Sequence, residues 1–360
     1  MKKFLCLIIT AVMIVSIFTA CSKKGENSDN QPSATETSTK TDDTSSEPEA
    51  PDTGNENLLT GKLTLSDEAV GKRPVAVMVN NIKASLPQYG ISSADIIYEI
   101  VTEGGITRLM AIFGDYTKIP NVCSIRSCRY YFPIFAYGYD AVYFCFGANA
   151  DLGYPTLKRL AQGNFDYVDG KTNSSFFSRD KERLKTMATE HTAYLKGAEV
   201  PKGLDNLKIR TDILEGKNEP AFNFTSKQDK VSDKECKELT LSFSSAYYST
   251  FKYNSEKKVY YKWHSGSPHK DSTADKQLSF TNVFVLQTSI HNYKNKQIVE
   301  VNWKGGDGYY ISNGTVVNIK WEKPTEDSAI KFTNAETGKE LSVNPGKSYI
   351  GVIPSGRTKF

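Results

Sequence analysis

A pair of glycines, Gly104 and Gly105, separates two runs of β-forming residues, "IIYEIV" and "ITRLMAIF". Because glycine adopts positive φ angles at little cost, two glycines between such runs are typical of a two-residue primed turn. The sequence therefore predicts a β-hairpin here, so this part of the chain belongs to a sheet. In the predicted register Glu103 faces Ile106, and Thr102 faces Thr107.

The predicted hairpin carries charged residues in a defined pattern. Alternation along its strands places Glu99, Glu103 and Arg108 on one face, with the arginine diagonal to both carboxylates. One interpretation is a solvated cross-strand ion pair, which contributes little stability. The other is one wall of a polar ligand pocket, and both hypotheses stay open at this point.

The segment "VCSIRSCRYYF" follows closely and adds two arginines. Arg126 and Arg129 are three residues apart, so on a helix they share a face and could hold a carboxylate or phosphate through bidentate bonds. Helical spacing starts at Ser127, with Ser127 or Ser124 as a possible cap, but Pro133 is unfavourable inside a helix, so the helix begins late, near Phe132, or is kinked. "AVYFCFG" is predicted as a buried strand, and "YPTLKRLAQ" and "RDKERLKTMATEH" as further helices, which gives an α/β or α+β N-terminal domain.

Cysteines outside the first 21 residues are interpreted as core thiols. Two of the four, Cys123 and Cys128, flank the first of those arginines with C-x₄-C spacing. Metal binding needs more ligands, and redox pairs usually use C-x-x-C. Disulfides are compatible with an exported protein, although domains of this size do not need them.

From Leu239 the chain changes to short alternating runs with frequent turns. Asn313-Gly314 between "GYYIS" and "TVVNIKW" is a hairpin signal, and the region is predicted to be an antiparallel sheet or a small barrel. Within "HSGSPHKD", His269 and Asp271 lie beside His264 and could supply a general base or metal ligands. Two imidazoles and one carboxylate are too few for a zinc site, so no metal is predicted.

The N-terminus predicts export and lipid attachment. An apolar run follows Lys2 and Lys3 and ends in "FTAC", which resembles a bacterial lipobox, so Cys21 is the predicted site of acylation and palmitate attachment. The next residues lack large apolar side chains and predict a disordered tether. The predicted organisation is signal peptide 1–21, tether 22–60, N-terminal domain 61–221, linker 222–238 and β-rich C-terminal domain 239–360.

Several of these stretches together resemble a known family. "RPVAVMVNN", "LPQYGISSADIIYEIVTEGGITRLMAIF", "SIRSCRYYFPIFAYGYDAVYF", "PHKD" and "GGDGYYISNG" are similar to the YerB-like lipoproteins of Gram-positive bacteria. The resemblance implies a membrane-anchored lipoprotein with a two-part domain of unknown function. The residue at Cys128 is commonly alanine in the family pattern, and "EHTAY" is a looser version of a family element, so neither supports a family-wide cysteine chemistry.

The net charge of the chain bears on the kind of partner that the protein binds. The chain has a net charge of +4, and because the tether is strongly acidic the remainder from Gly61 carries +8 after the signal is removed. One interpretation is non-specific basicity, and the other is attraction to polyanions of the cell envelope. The predicted partners are an anionic wall polymer, peptidoglycan or an envelope protein, at the outer face of the cytoplasmic membrane. No nucleic-acid motif and no cofactor motif is present.

The predicted function is a non-catalytic binding or scaffolding protein of the cell envelope. The candidate ligand-binding residues are Glu99, Glu103, Arg108, Arg126, Arg129, His269 and Asp271. The alternative is a cell-wall-modifying enzyme, either a hydrolase that uses the carboxylates or a transpeptidase that uses a cysteine.

Overall fold

Short strands dominate the structure, a computed structural model that describes residues 54–360 with the exception of residue 296. The strands of its first half are β1 Asn55–Asn57, β2 Lys62–Leu65, β3 Val75–Asn80, β4 Ile96–Val101, β5 Thr107–Phe113, β6 Val122–Cys123, β7 Val142–Cys145, β8 Tyr167–Asp169, β9 Phe177–Arg179, β10 Ala193–Leu195 and β11 Asn223–Phe224. Those of the second half are β12 Glu238–Ser242, β13 Tyr248–Asn254, β14 Val259–His264, β15 Ser267–Pro268, β16 Lys270–Asp271, β17 Lys276–Gln277, β18 Ser279–Phe280, β19 Asn282–Gln287, β20 Ile290–Asn292, β21 Val299–Val301, β22 Gly305–Ser312, β23 Thr315–Glu322, β24 Lys331–Asn334, β25 Ser342–Val343, β26 Ser348–Ile353 and β27 Thr358–Lys359.

The helices of the described residues are short. The α-helices are α1 Tyr131–Tyr137, α2 Gly153–Leu160 and α3 Val200–Asn206. Single turns of 3-10 helix lie at Asp67–Ala69, Lys83–Ser85, Ile91–Ser93, Glu103–Gly105, Ser174–Phe176, Arg183–Lys185, Thr189–His191, Gly197–Glu199 and Tyr293–Asn295. In this described part of the chain, no helix combines the length and the apolarity that crossing a membrane would take.

A mixed sheet of ten strands is the framework, in the order β24-β23-β22-β19-β26-β4-β5-β3-β7-β8. β3 and β5 are interior strands of this sheet and are fully buried, as expected for apolar strands covered on both faces. The two halves of the sequence meet in this sheet, because β4 pairs in parallel with β26. The described residues belong to one compact unit.

The two faces of the large sheet are covered differently. On one face helix α1 packs its aromatic residues, with the rings of Phe135 and Tyr98 stacked at 5.3 Å. On the other face a second sheet of β12, β13, β14 and their neighbours packs through Phe251, whose ring lies 4.6 Å from that of Tyr349 on β26. The predicted fold class is confirmed: a mixed α/β N-terminal half precedes a C-terminal half rich in antiparallel strands.

The predicted β-hairpin forms, but its predicted register is wrong by one residue. Glu99 pairs with Leu109, and Ile100 with Arg108. The reason is the turn: the Thr102 N–H donates to the Ile106 carbonyl at 2.7 Å, so three residues close the loop where two were expected. Because side chains alternate along a strand, this shift puts Arg108 on the opposite face of the sheet from Glu99.

The helix predictions have mixed outcomes. α2 confirms the helix in "YPTLKRLAQ", and α1 starts at Tyr131, in agreement with the late start that Pro133 favours. The helix predicted in "RDKERLKTMATEH" is wrong, since only single 3-10 turns form there. Arg183 explains the interruption: its guanidinium is buried and donates to the Ser85 carbonyl at 3.0 Å, which ties this segment to a loop.

The predicted turn at Asn313-Gly314 is confirmed. Both residues have positive φ, 45° and 74°, and they join β22 to β23 in a long antiparallel pair. The predicted signal peptide, Cys21 and nearly all of the tether lie outside the described residues. Within the described part, Cys123, Cys128, Cys145 and Cys236 are buried and free of disulfide bonds.

Candidate functional site

The candidate residues occupy two separate polar clusters, one on each face of the large sheet. We call them the buried network, centred on Glu99 and Lys262, and the arginine cluster, formed by Arg108, Arg126 and Arg129. The sequence analysis placed Glu99 with Arg108 on one face, and the register shift corrects this.

The buried network lies between the large sheet and the second sheet. The Glu99 carboxylate is fully buried, and Lys262 from β14 approaches it to 3.2 Å. Four further donors reach the carboxylate at 2.8 to 3.0 Å, from Asn81, Thr107, Ser249 and Tyr349. Burial alone raises the pKa of Glu99, but Lys262, His264 and these hydrogen bonds outweigh it and hold that pKa below its usual value.

Histidines extend this network. Lys262 Nζ donates to His269 Nδ1 at 2.9 Å, so His269 Nε2 carries the proton and donates to Gln88 Oε1 at 2.9 Å. The Gln88 side chain in turn donates to Asn81 Oδ1 at 3.0 Å, which closes a ring of hydrogen bonds back to Glu99. Burial lowers the pKa of both His264 and His269, and Lys262 lowers both further.

Asp271 stabilises the loop beside the network. Its carboxylate accepts hydrogen bonds from the backbone N–H of Ser92 at 2.8 Å and of Thr273 at 3.1 Å. His269 and Asp271 are both almost fully buried, and their polar atoms are occupied by protein partners. The described residues contain no group of three or more His, Cys, Asp or Glu side chains placed to hold a metal ion.

The arginine cluster lies at the carboxyl end of two parallel strands, β3 and β7. The segment 124–128 inserts where these strands part: the Arg126 N–H donates to Met78 O at 3.0 Å, and its carbonyl accepts from Phe146 N at 3.0 Å. Local backbone pairing with both strands therefore explains why the segment begins no helix. Open α/β sheets bind ligands at this kind of position, at the carboxyl ends of neighbouring parallel strands.

Carboxylates neutralise two of the three arginines. Arg129 Nε pairs with Glu103, and Arg126 Nη2 pairs with Glu190 at 3.1 Å. Arg108 is almost fully buried, donates to the Ser127 carbonyl and forms no ion pair with a described carboxylate. Its Nε is buried and has no hydrogen-bond partner.

The arginine cluster carries excess positive charge, because three arginines face two paired carboxylates. Burial lowers the pKa of Arg108 to about 9; the charges of Arg129 and Arg126 add to this effect, and the charge of Glu103 opposes it. The guanidinium remains charged at neutral pH. His191 borders the site, with its Nδ1 3.1 Å from the Asn80 amide and its Nε2 3.7 Å from Glu190. Burial lowers the pKa of His191, so the ring is neutral at pH 7.

Cys128 does not have the environment of a nucleophile. It is fully buried, and burial raises the pKa of its thiol to about 12 despite the neighbouring arginines. The carboxylate pair proposed for a hydrolase is not formed either, because Glu99 is enclosed between the sheets while Glu103 pairs with Arg129.

The sequence analysis missed several residues of both clusters, among them Asn81, Gln88, Lys262 and His191. A usable signal existed for Lys262, which stands alone among aromatic residues in "VYYKWH", as Glu99 does among apolar ones in "IIYEIV". Two isolated charges of opposite sign inside β-forming runs predict a buried pair.

Known proteins share this architecture. The profile of a family described as "Protein of unknown function (DUF3048) N-terminal domain" matches residues 59–210, and that of its C-terminal domain matches residues 239–350. A protein of Bacillus subtilis (strain 168), named "Putative lipoprotein YerB", is 28% identical over 303 residues, which cover 82% of this chain and 85% of that protein. A crystal structure of YerB protein from Bacillus subtilis superimposes with a TM-score of 0.71 at 24% identity, over 84% of this chain and 97% of that one.

Proposed function

This chain belongs to the DUF3048 family of proteins of unknown function, and from that premise we propose that it is a lipid-anchored envelope protein that binds an anionic ligand at the arginine cluster. The anchor is the acylated Cys21, at the outer face of the cytoplasmic membrane. The lipobox-like "FTAC" and the lipoprotein name of the Bacillus subtilis relative support this part of the proposal.

One observation supports an anionic ligand. Arg108 is a buried cation that forms no ion pair with a described carboxylate, and the two arginines beside it each form one. A buried cation that a carboxylate, here Glu103, offsets without a direct ion pair is costly, and a bound anion reduces that cost. A phosphate or carboxylate group fits the planar donors of the arginines. Arg126 and Arg129 keep part of their side chains exposed, so a ligand can reach the cluster from solvent.

Two polymers of the cell envelope carry anionic groups of this kind. Wall teichoic acid presents phosphates, and peptidoglycan stem peptides present carboxylates. Binding of each polymer to the purified protein is measured at fixed salt with Arg126→Gln and Arg129→Gln. We expect each variant to weaken binding about tenfold, equivalent to ~1.4 kcal/mol.

Arg159→Gln is the matched control, because Arg159 is exposed and pairs with Glu326 outside the cluster. Its affinity is expected to equal that of the unmodified protein. Equal losses in all three variants would mean that overall basicity, and no defined site, attracts the polymer. Preference for one polymer identifies the source of the anion.

The proposal includes no catalysis. The burial of Glu99 and Cys128 leaves neither group accessible to a substrate. Purified protein is therefore expected to leave peptidoglycan uncleaved and uncross-linked. Turnover that disappears in Glu103→Gln or Cys128→Ala would contradict this and favour the wall-modifying enzyme.

A further inference from the structure

A cavity of about 400 Å³ is lined by residues of the first hairpin, and none of its lining residues belongs to either polar cluster. The hairpin of β1 and β2 forms one wall, and the chain from Ile213 to Ala221 forms another. The volume is in the lower part of the range of roughly 300–1,000 Å³ that small-molecule sites occupy.

The interior of the cavity is apolar. Leu58, Leu59, Leu65, Ala69, Tyr139 and Ile213 are among the residues that line it. Val70, one of the lining residues, is 50% exposed, and Leu63 on the same hairpin strand as the lining residue Leu65 is 46% exposed. Aliphatic side chains at such exposure form an apolar surface that a ligand or a membrane can cover.

Of the charged residues that line the cavity, the two lysines have partners among the described residues and the two glutamates do not. Lys72 is paired with Asp212 at 2.5 Å, and Lys217 donates to the Asp327 backbone carbonyl and also interacts electrostatically with the Asp327 carboxylate. Glu56 and Glu219 are exposed, and neither has an ion pair or a side-chain hydrogen bond among the described residues. The uncompensated charge at the mouth is therefore negative, which complements a cationic headgroup.

The cavity is also close in sequence to the proposed lipid anchor, which favours a ligand from the membrane. Its wall begins at Asn55, and the lipid-attachment residue of the proposed function, Cys21, lies 34 residues earlier. Because so few residues separate the two positions, an anchored protein keeps the cavity within reach of the bilayer surface. This step rests on the proposed anchoring, whereas the lining and the charges do not.

We propose that this cavity binds the alkyl chain of a single-chain amphiphile that carries an amino headgroup. The chain occupies the apolar interior, and the ammonium group lies between Glu56 and Glu219 at the mouth. A long-chain alkylamine has this chemistry.

Photolabelling of the full chain tests the proposal. Membrane vesicles from cells producing the protein are irradiated with a diazirine-bearing C12 alkylamine, and labelled peptides are identified by mass spectrometry. The expected labels lie in peptides containing Leu58, Leu65 or Ile213. A C12 carboxylate of the same design is expected to label these peptides at least fivefold less.

Ala329→Trp is the blocking variant, since Ala329 is an exposed residue of the cavity lining and its replacement leaves the core intact. Labelling by the alkylamine is expected to fall at least fivefold. Ala335→Trp places the same ring at an exposed position outside the lining, and labelling is expected to persist. Equal labelling by amine and carboxylate, or labelling that survives Ala329→Trp, overturns the proposal.

Failure of this inference is distinguishable from failure of the proposed function. Cys21→Ser tests the anchor, because the protein should then leave the membrane fraction, and the arginine variants test the anion site. Labelled peptides from the cavity in the released Cys21→Ser protein, incubated with the same probe, support the pocket independently of the anchor. Absence of label in both preparations rejects the pocket alone.

Discussion

Glu99 shows how a fully buried carboxylate is stabilised. It accepts hydrogen bonds from residues of both halves of the chain, including Thr107 on β5 and Ser249 on β13, and its charge is balanced by Lys262. A buried ion pair of this kind contributes little compared with apolar packing, but it is costly to break on one side. The pair therefore makes the association of the two sheets specific.

Lys262→Met should destabilise the protein strongly, because the Glu99 carboxylate then remains buried without its cation. We expect a loss of about 3–5 kcal/mol in the free energy of unfolding, measured by urea denaturation. Lys252→Met on the neighbouring strand removes an exposed pair with Glu238 and should cost less than ~1 kcal/mol. The double variant Glu99→Gln/Lys262→Met should be more stable than the sum of the single losses predicts.

His264 predicts a dependence of stability on pH. Burial, followed by the charge of Lys262, lowers the pKa of His264 to about 4 in the folded protein, against an ordinary value near 6.5. Between these values the unfolded chain binds the proton and the folded protein does not. Stability should therefore fall as the pH is lowered from 6.5 towards 4, by about 1.4 kcal/mol per pH unit for this histidine alone.

The measurement is urea unfolding between pH 6.5 and 4.5. His264→Asn should reduce the slope of unfolding free energy against pH by about 1.4 kcal/mol per unit. His291, which is exposed and pairs with Glu300, is the control, and His291→Asn should leave the slope nearly unchanged. A slope that is identical in His264→Asn and the unmodified protein would refute the assignment.

Among the elements, the segment that carries the arginines is held by its backbone. β6 pairs with β10, and Tyr89 and Cys123 exchange hydrogen bonds of 3.1 Å in both directions. Gly90 adjoins this contact with a φ of 79°, and a Cβ at this position would lie 2.2 Å from the Asn121 carbonyl oxygen. Backbone packing at this glycine therefore positions the segment that leads to Arg126.

Gly90→Ala should lower the free energy of unfolding by about 3 kcal/mol, from the positive φ and from the clash with backbone. Gly356→Ala has a similar φ of 75° and no atom within 4 Å of the added Cβ, so its cost should be about 1 kcal/mol. Thermal unfolding compares the two variants. Similar losses in both would show that the Asn121 contact relaxes easily.

The whole molecule is organised by a sheet that crosses the boundary between the two family segments. β26 lies between β4 and β19, in parallel with both, so the N-terminal strands and the C-terminal strands share their backbone hydrogen bonds. The buried network joins the same two halves on one face. The structure therefore predicts that the two segments unfold together.

Coincident unfolding can be measured because the three tryptophans, Trp263, Trp303 and Trp321, all belong to the C-terminal half. Their fluorescence in urea should report the same midpoint as hydrogen exchange in the peptides of β3 and β5. Protection of those peptides that persists beyond the tryptophan transition would show that the N-terminal segment is stable alone.

Local patterns determined the fold class, the β4–β5 hairpin, helix α2 and the Asn313-Gly314 turn, because each depends on neighbouring residues whose conformational preferences agree. The predicted export signal and the predicted lipid attachment at Cys21 rest on sequence alone. Tertiary structure decided which face each charge occupies. One added residue in the turn moved Arg108 away from Glu99, and pairing across more than 160 residues brought Lys262 to that carboxylate. Register and long-range strand pairing depend on the packing of the whole sheet, which no short stretch of sequence contains.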